Sequence, residues 1–175
     1  MIFNFSLILA NASKVTKAAR ILDVPILVTE QNPSKLGKTC SELDITSASY
    51  FTDKTLFSMC TSGLIAHLNS MPLKNTVILL GIETHVCVLQ TCLDLLDRKI
   101  NVIVLADSVS SMNRGEIKIA LERMRQAGAV ITTSDSIIFQ LVNDANSPKF
   151  KEISALIKEY NVSTGRVFEE HVAKF

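Results

Sequence analysis

Tryptophan is absent from the 175 residues, tyrosine occurs twice, and glycine and proline number only six and four. That scarcity excludes collagen-like and low-complexity architectures. No excess of one charge sign exists. The 18 Lys and Arg are balanced by 17 Asp and Glu, for a net charge of +1. A nucleic-acid binder driven by electrostatics is thereby excluded. With 47% hydrophobic residues, disorder is excluded as the main state. No apolar run is long enough to span a bilayer, and the N-terminus lacks the basic segment of a signal peptide. C-x-x-C pairs are lacking too. Four cysteines stand at 40, 60, 87 and 92, with three scattered histidines at 67, 85 and 171. No spacing resembles a zinc site, and no metal or cofactor is implied. The cysteines lie in or beside apolar runs, which predicts free thiols in a reducing, cytoplasmic compartment.

What the chain does have is periodicity. Phe5, Ile8, Leu9, Ala12, Val15, Ala19 and Leu22 recur at helical spacing. Lys14, Lys17 and Arg20 read as one solvated face of that helix. Asp23-Val24-Pro25 stops it, and Ile26 to Thr29 reads as a buried strand. Residues 30–50 are loop-like and 51–60 ambiguous, followed by a helix over 62–70. Strands are then predicted at 76–80, 102–106 and 129–132. They alternate with helices at 85–97, 115–127 and 134–144, with Gly128 as a C-cap. A last helix covers 149–159, and beyond Tyr160 the signal fades into a loosely packed tail. One domain over 1–175 is expected. Four β-branched strands alternating with amphipathic helices predict a parallel sheet covered on both faces. The pattern starts with a helix whose upstream strand is absent, although such helices normally cross between two parallel strands.

Chemistry in such sheets lies outside the carboxyl ends of the strands. Cys87 falls there, in the first turn of the helix after strand 76–80. Free backbone N–H groups and the helix dipole favour a thiolate at that place. The same N–H groups suit a developing oxyanion. An inert buried cysteine is the competing reading. Cys92 reads as core, Cys40 and Cys60 as bystanders, and His85 as a rim residue. A lysine near Cys87 would favour its charged form, but spacing alone does not bring Lys54 to it.

Gly81-Ile82-Glu83-Thr84-His85-Val86-Cys87-Val88 resembles the nucleophile motif of the isochorismatase-like cysteine hydrolases. Asp53-Lys54-Thr55-Leu56-Phe57-Ser58-Met59 resembles their lysine segment. Ala18 to Pro25, Val28 to Pro33 and Leu36 to Thr39 are similar to the eukaryotic isochorismatase domain-containing branch. The likeness covers roughly residues 5–158. It implies a doubly wound, Rossmann-like α/β fold, with Cys87 as nucleophile and Lys54 as the triad lysine. It also implies a cis peptide at Ile82–Glu83, where backbone N–H groups with that of Cys87 form the oxyanion hole. The substrate would be a small amide or a vinyl ether, and homo-oligomers are expected.

One departure stands out. The triad Asp of that family ends its first strand, and no residue here matches it. The chain is accordingly read as an N-terminally shortened member, first strand missing, with weak or absent hydrolysis. Asp107 sits in the same rim but does not align with the missing Asp. A non-catalytic α/β module for binding or oligomer assembly is the alternative reading.

Overall fold

The computed structural model describes residues 1–71 and 75–172. Helix α1 (Phe5–Ile21) leads to strand β1 (Leu27–Gln31), the short α2 (Pro33–Leu36), β2 (Tyr50–Lys54) and α3 (Ser62–Ser70). Then come β3 (Thr76–Ile82), a π-helical turn (Thr84–Val88), α4 (Leu89–Asp97) and β4 (Asn101–Ser110). The order ends with α5 (Arg114–Gln126), β5 (Val130–Thr132), α6 (Ser134–Val142) and α7 (Phe150–Glu170). Gly128, at φ 110, follows the end of α5 as expected.

All strand pairs are parallel, as the alternating pattern requires, but hydrogen bonding divides them into two sheets. One has the order β1-β2 and the other β3-β4-β5. Five strands appear among the described residues where four are expected. The additional one, β2, carries Asp53 and Lys54 in only five residues, too short and too charged to read as a buried strand. Among the described residues β3 pairs on one side alone, as an edge of its sheet. The inward residues of β3 are accordingly half-buried apart from Leu79, whereas β4, flanked on both sides, is buried from Val104 to Ser110.

Helices cover both faces. Leu64, Leu68, Leu79, Leu89, Cys92, Leu95, Ile117 and Met124 form one core with α3, α4 and α5. Ala18, Leu105, Ile137, Ile138, Ile153 and Leu156 form the other with α1, α6 and α7.

The tail differs from the expectation. Helix α7 continues to Glu170, with Thr164 and Val167 buried. His171 beyond it is fully buried, and its Nε2 pairs with the Val109 carbonyl at 2.9 Å. The imidazole also stacks on Phe3 at 5.6 Å. Because α7 lies along α1, Lys14 is not solvated. It is fully buried, with Nζ 2.5 Å from Asp135 Oδ1 and 2.9 Å from Thr164 Oγ1. Only Lys17 and Arg20 of that face reach solvent, paired with Glu159 and Asp44.

Candidate active site

The carboxyl ends of β1, β2 and β3 supply the site. Gln31 and Lys54 are direct cross-strand partners in the β1–β2 register, so their side chains share a face. Lys54 is 7% exposed. Its Nζ donates to Gln31 Oε1 at 2.6 Å and to the carbonyls of Leu56 and Phe57, each at 2.9 Å. Those three acceptors use all three ammonium protons and fold the segment after β2 around the charge. Burial pulls the lysine below its ordinary range, and the neighbouring Cys87 charge acts in the opposite sense. The fold therefore brings together two groups that lie 33 positions apart in sequence.

Strand β3 delivers Cys87. Its register with β4 shifts between Leu79 and Gly81: Leu79 faces Val104, whereas Gly81 faces Val109. Gly81 adopts φ 124, open to glycine and strained for other residues. The next peptide, Ile82–Glu83, is cis. Instead of a regular helix start, Thr84–Val88 forms one π turn, a form common at functional sites. The Glu83 carbonyl accepts from the N–H groups of Val86 (3.2 Å) and Val88 (3.1 Å), passing over that of Cys87 between them. Cys87 is half-buried.

Neighbours that the sequence did not reveal hold this turn. Thr91 Oγ1 donates to the Cys87 carbonyl at 2.6 Å and accepts from Met59 N at 2.9 Å. It thus ties the segment after Lys54 to the turn that carries Cys87; its i+4 spacing from Cys87 was the available signal. Glu83 Oε2 accepts from Met112 N at 2.8 Å. His85 stands at the rim, its Nδ1 2.9 Å from Ser111 Oγ and 4.0 Å from Glu83 Oε2.

The remaining candidates lie elsewhere. Cys92 is fully buried in the core, and burial pushes its thiol up to about 11. Cys60 is buried and also raised by burial, while Cys40 is half-buried; all four thiols are free. Asp107 is fully buried, and its carboxylate is engaged by Ser134 N (2.9 and 3.0 Å), Ser134 Oγ (2.5 Å) and Asn11 Nδ2 (2.9 Å). It closes the start of α6. No group of three or more metal-ligating side chains occurs among the described residues. Nor does any helix there have the length and apolarity to cross a membrane.

The isochorismatase domain model matches residues 2–136. The chain belongs to the isochorismatase family. It is 48% identical over 164 residues to a secreted isochorismatase effector of Phytophthora sojae, covering 90% of this chain and 78% of that protein. It is 45% identical over 154 residues to isochorismatase domain-containing protein 1 of Salmo salar. That match covers 88% of this chain but only 54% of the relative. Among solved structures, a MAR1 ribonuclease from Caenorhabditis elegans superposes with a TM-score of 0.84 at 44% identity. It covers 90% of this chain and 81% of that one. The YcaC gene product of Escherichia coli, described as an octameric hydrolase of unknown specificity, shares the isochorismatase-like fold. Its TM-score is 0.77 at 19% identity, over 93% of this chain and 86% of that one.

Proposed function

We propose that this isochorismatase-family chain is a cysteine hydrolase in which Cys87 is the nucleophile and Lys54 stabilises its thiolate. The observation that carries the reading is the convergence of a buried ammonium from β2 and a half-buried thiol from the π turn after β3. The Cys87 thiolate adds to a substrate carbonyl carbon. The carbonyl oxygen takes the negative charge, facing the Cys87 N–H that the Glu83 carbonyl passes over. Collapse expels the amine or alcohol, which takes a proton from water, and leaves a thioester. A second water hydrolyses the thioester, releasing the acid and restoring the thiol.

Lys54 is held by neutral oxygens, and among the described residues no carboxylate pairs with it. Acid–base work is then left to water, a loss of about 10²–10⁴ in rate, so slow turnover is expected of this chain. Free thiols throughout fit a cytoplasmic setting. Homo-oligomers are also part of the proposal. The edge strands β2 and β5 expose Phe51 and Val130 by more than half.

Site-resolved alkylation with iodoacetamide between pH 5 and 9, read by mass spectrometry, tests the site. Cys87 is expected to react first, ahead of Cys40 and far ahead of Cys60 and Cys92. A Cys87 no faster than Cys40 would overturn the assignment. Light scattering on the eluting protein tests assembly, and a sharp monomer peak would count against it.

A further inference from the structure

We infer that the Cys87 site selects uncharged, apolar carbonyl compounds and discriminates against carboxylate-bearing ones; this rests on the hydrolase reading above. Three observations support it.

The first is the saturation of Lys54. An ammonium has three protons, and here Gln31 Oε1 and the Leu56 and Phe57 carbonyls take all three. A substrate carboxylate would have to displace one of these bonds to reach it. The pairing of Lys54 with the Cys87 thiolate also leaves no net positive charge to attract an anion. The second is Glu83. Its carboxylate stands one peptide after Ile82 in the turn that carries Cys87, fixed by Met112 N at 2.8 Å. It adds a negative charge to that turn, with His85 Nδ1 4.0 Å from its Oε2. The third is the rim itself. Leu56 and Phe57, whose carbonyls bind Lys54, are each about half exposed, as is Ile82 at the cis peptide. Met112, whose N–H binds Glu83, is 62% exposed. Four large apolar side chains left in water on the segments that hold Lys54, the cis peptide and Glu83 favour an apolar acyl or amine group.

The test uses two reagents of nearly equal size and opposite charge character, iodoacetamide and iodoacetate, on the intact protein at pH 8. In both reactions the thiolate displaces iodide, so an S–C bond forms as the C–I bond breaks. The neutral-to-anionic rate ratio is measured at Cys87 and divided by that at Cys40 in the same digest. The expected quotient is about threefold or more, the size of one screened like-charge interaction near a protein surface. Glu83→Gln, which keeps an oxygen for Met112 N, should lower it. A quotient of one or less, with Cys87 still the fastest thiol toward iodoacetamide, overturns the charge selectivity and leaves the hydrolase reading intact. A Cys87 no faster than Cys40 toward iodoacetamide overturns the hydrolase reading itself, and the inference with it.

Discussion

Lys14 and Lys54 are both taken out of water, and their surroundings differ in kind. Lys14 is fully buried between α1, α6 and α7, against the carboxylate of Asp135 and the hydroxyl of Thr164. Its charge is neutralised locally, and the same region holds Asn11, Asp107 and Ser134 in one connected set of hydrogen bonds. Among the described residues Lys54 has only neutral oxygens for partners, and the charge of Cys87 favours its ammonium. A buried ammonium with a carboxylate beside it joins helices. A buried ammonium whose natural counter-charge is a thiolate shifts the chemistry of that thiol. The difference teaches that burial alone does not mark a functional lysine; the nature of its partner does.

The largest expected effect comes from breaking the structural pair. Asp135→Ala leaves Lys14 buried without its counter-charge, and should cost about 3 kcal/mol in urea unfolding. That is the low end of the range for a broken buried pair, because Asp135 is itself 31% exposed. The relative alkylation rate of Cys87 should not move. A loss below about 1 kcal/mol would mean that the Lys14–Asp135 pair adds little to the joining of α1 and α6.

Lys54→Met should show the reverse pattern. Removing the positive charge is expected to slow Cys87 alkylation at pH 7 about tenfold, the size of one charge interaction of about 1.4 kcal/mol. The stability change should be smaller than that of Asp135→Ala, since methionine keeps the stem and leaves only neutral oxygens unpaired. Unchanged alkylation would place Lys54 with Lys14 as a structural residue.

This contrast was only half legible in the sequence. Lys54 drew attention through the resemblance of its segment, and Cys87 through its place after a strand. Lys14 read as solvated because the helical signal fades after Tyr160. The stretch Asn161 to Gly165 is poor in helix formers. Tertiary contacts nevertheless carry α7 across it, through Thr164 on Lys14 and the buried Val167. Gln31 was likewise unreadable as a partner of Lys54. Their opposition depends on β1 pairing with β2, and β2 is too short and polar to declare itself. The division of the strands into two sheets has no signature in periodicity at all, because periodicity reports faces and not neighbours.

A smaller effect should come from Thr91→Val, which preserves shape and removes both hydrogen bonds of the hydroxyl. Met59 N loses its acceptor and the Cys87 carbonyl its donor, at a cost of about 1–2 kcal/mol. Unlike variants of the Lys14 region, this one should also change Cys87 alkylation, because Thr91 joins the segment after Lys54 to the turn that carries Cys87. Equal alkylation in Thr91→Val and the parent would show that the turn is held by its own backbone.

The finest distinction is a slope against pH. Burial raises Asp107 above the ordinary carboxylate value, against the lowering pull of Ser134 and Lys14. The native chain therefore holds this proton to higher pH than the unfolded chain does. Between the unfolded value of 3.8 and the higher folded one, the native state binds more protons, so stability falls as pH rises. Above the folded value this contribution is constant. Asp107→Asn has nothing to titrate and should lack that component. Subtracting its urea-unfolding profile from that of the parent, across the acid range, should leave a decline with rising pH. A rise instead would mean that the hydrogen bonds from Ser134 and Asn11 outweigh burial. Asp107 would then be a charged cap of α6, closer in kind to Asp135 than to a carboxyl kept neutral by its surroundings.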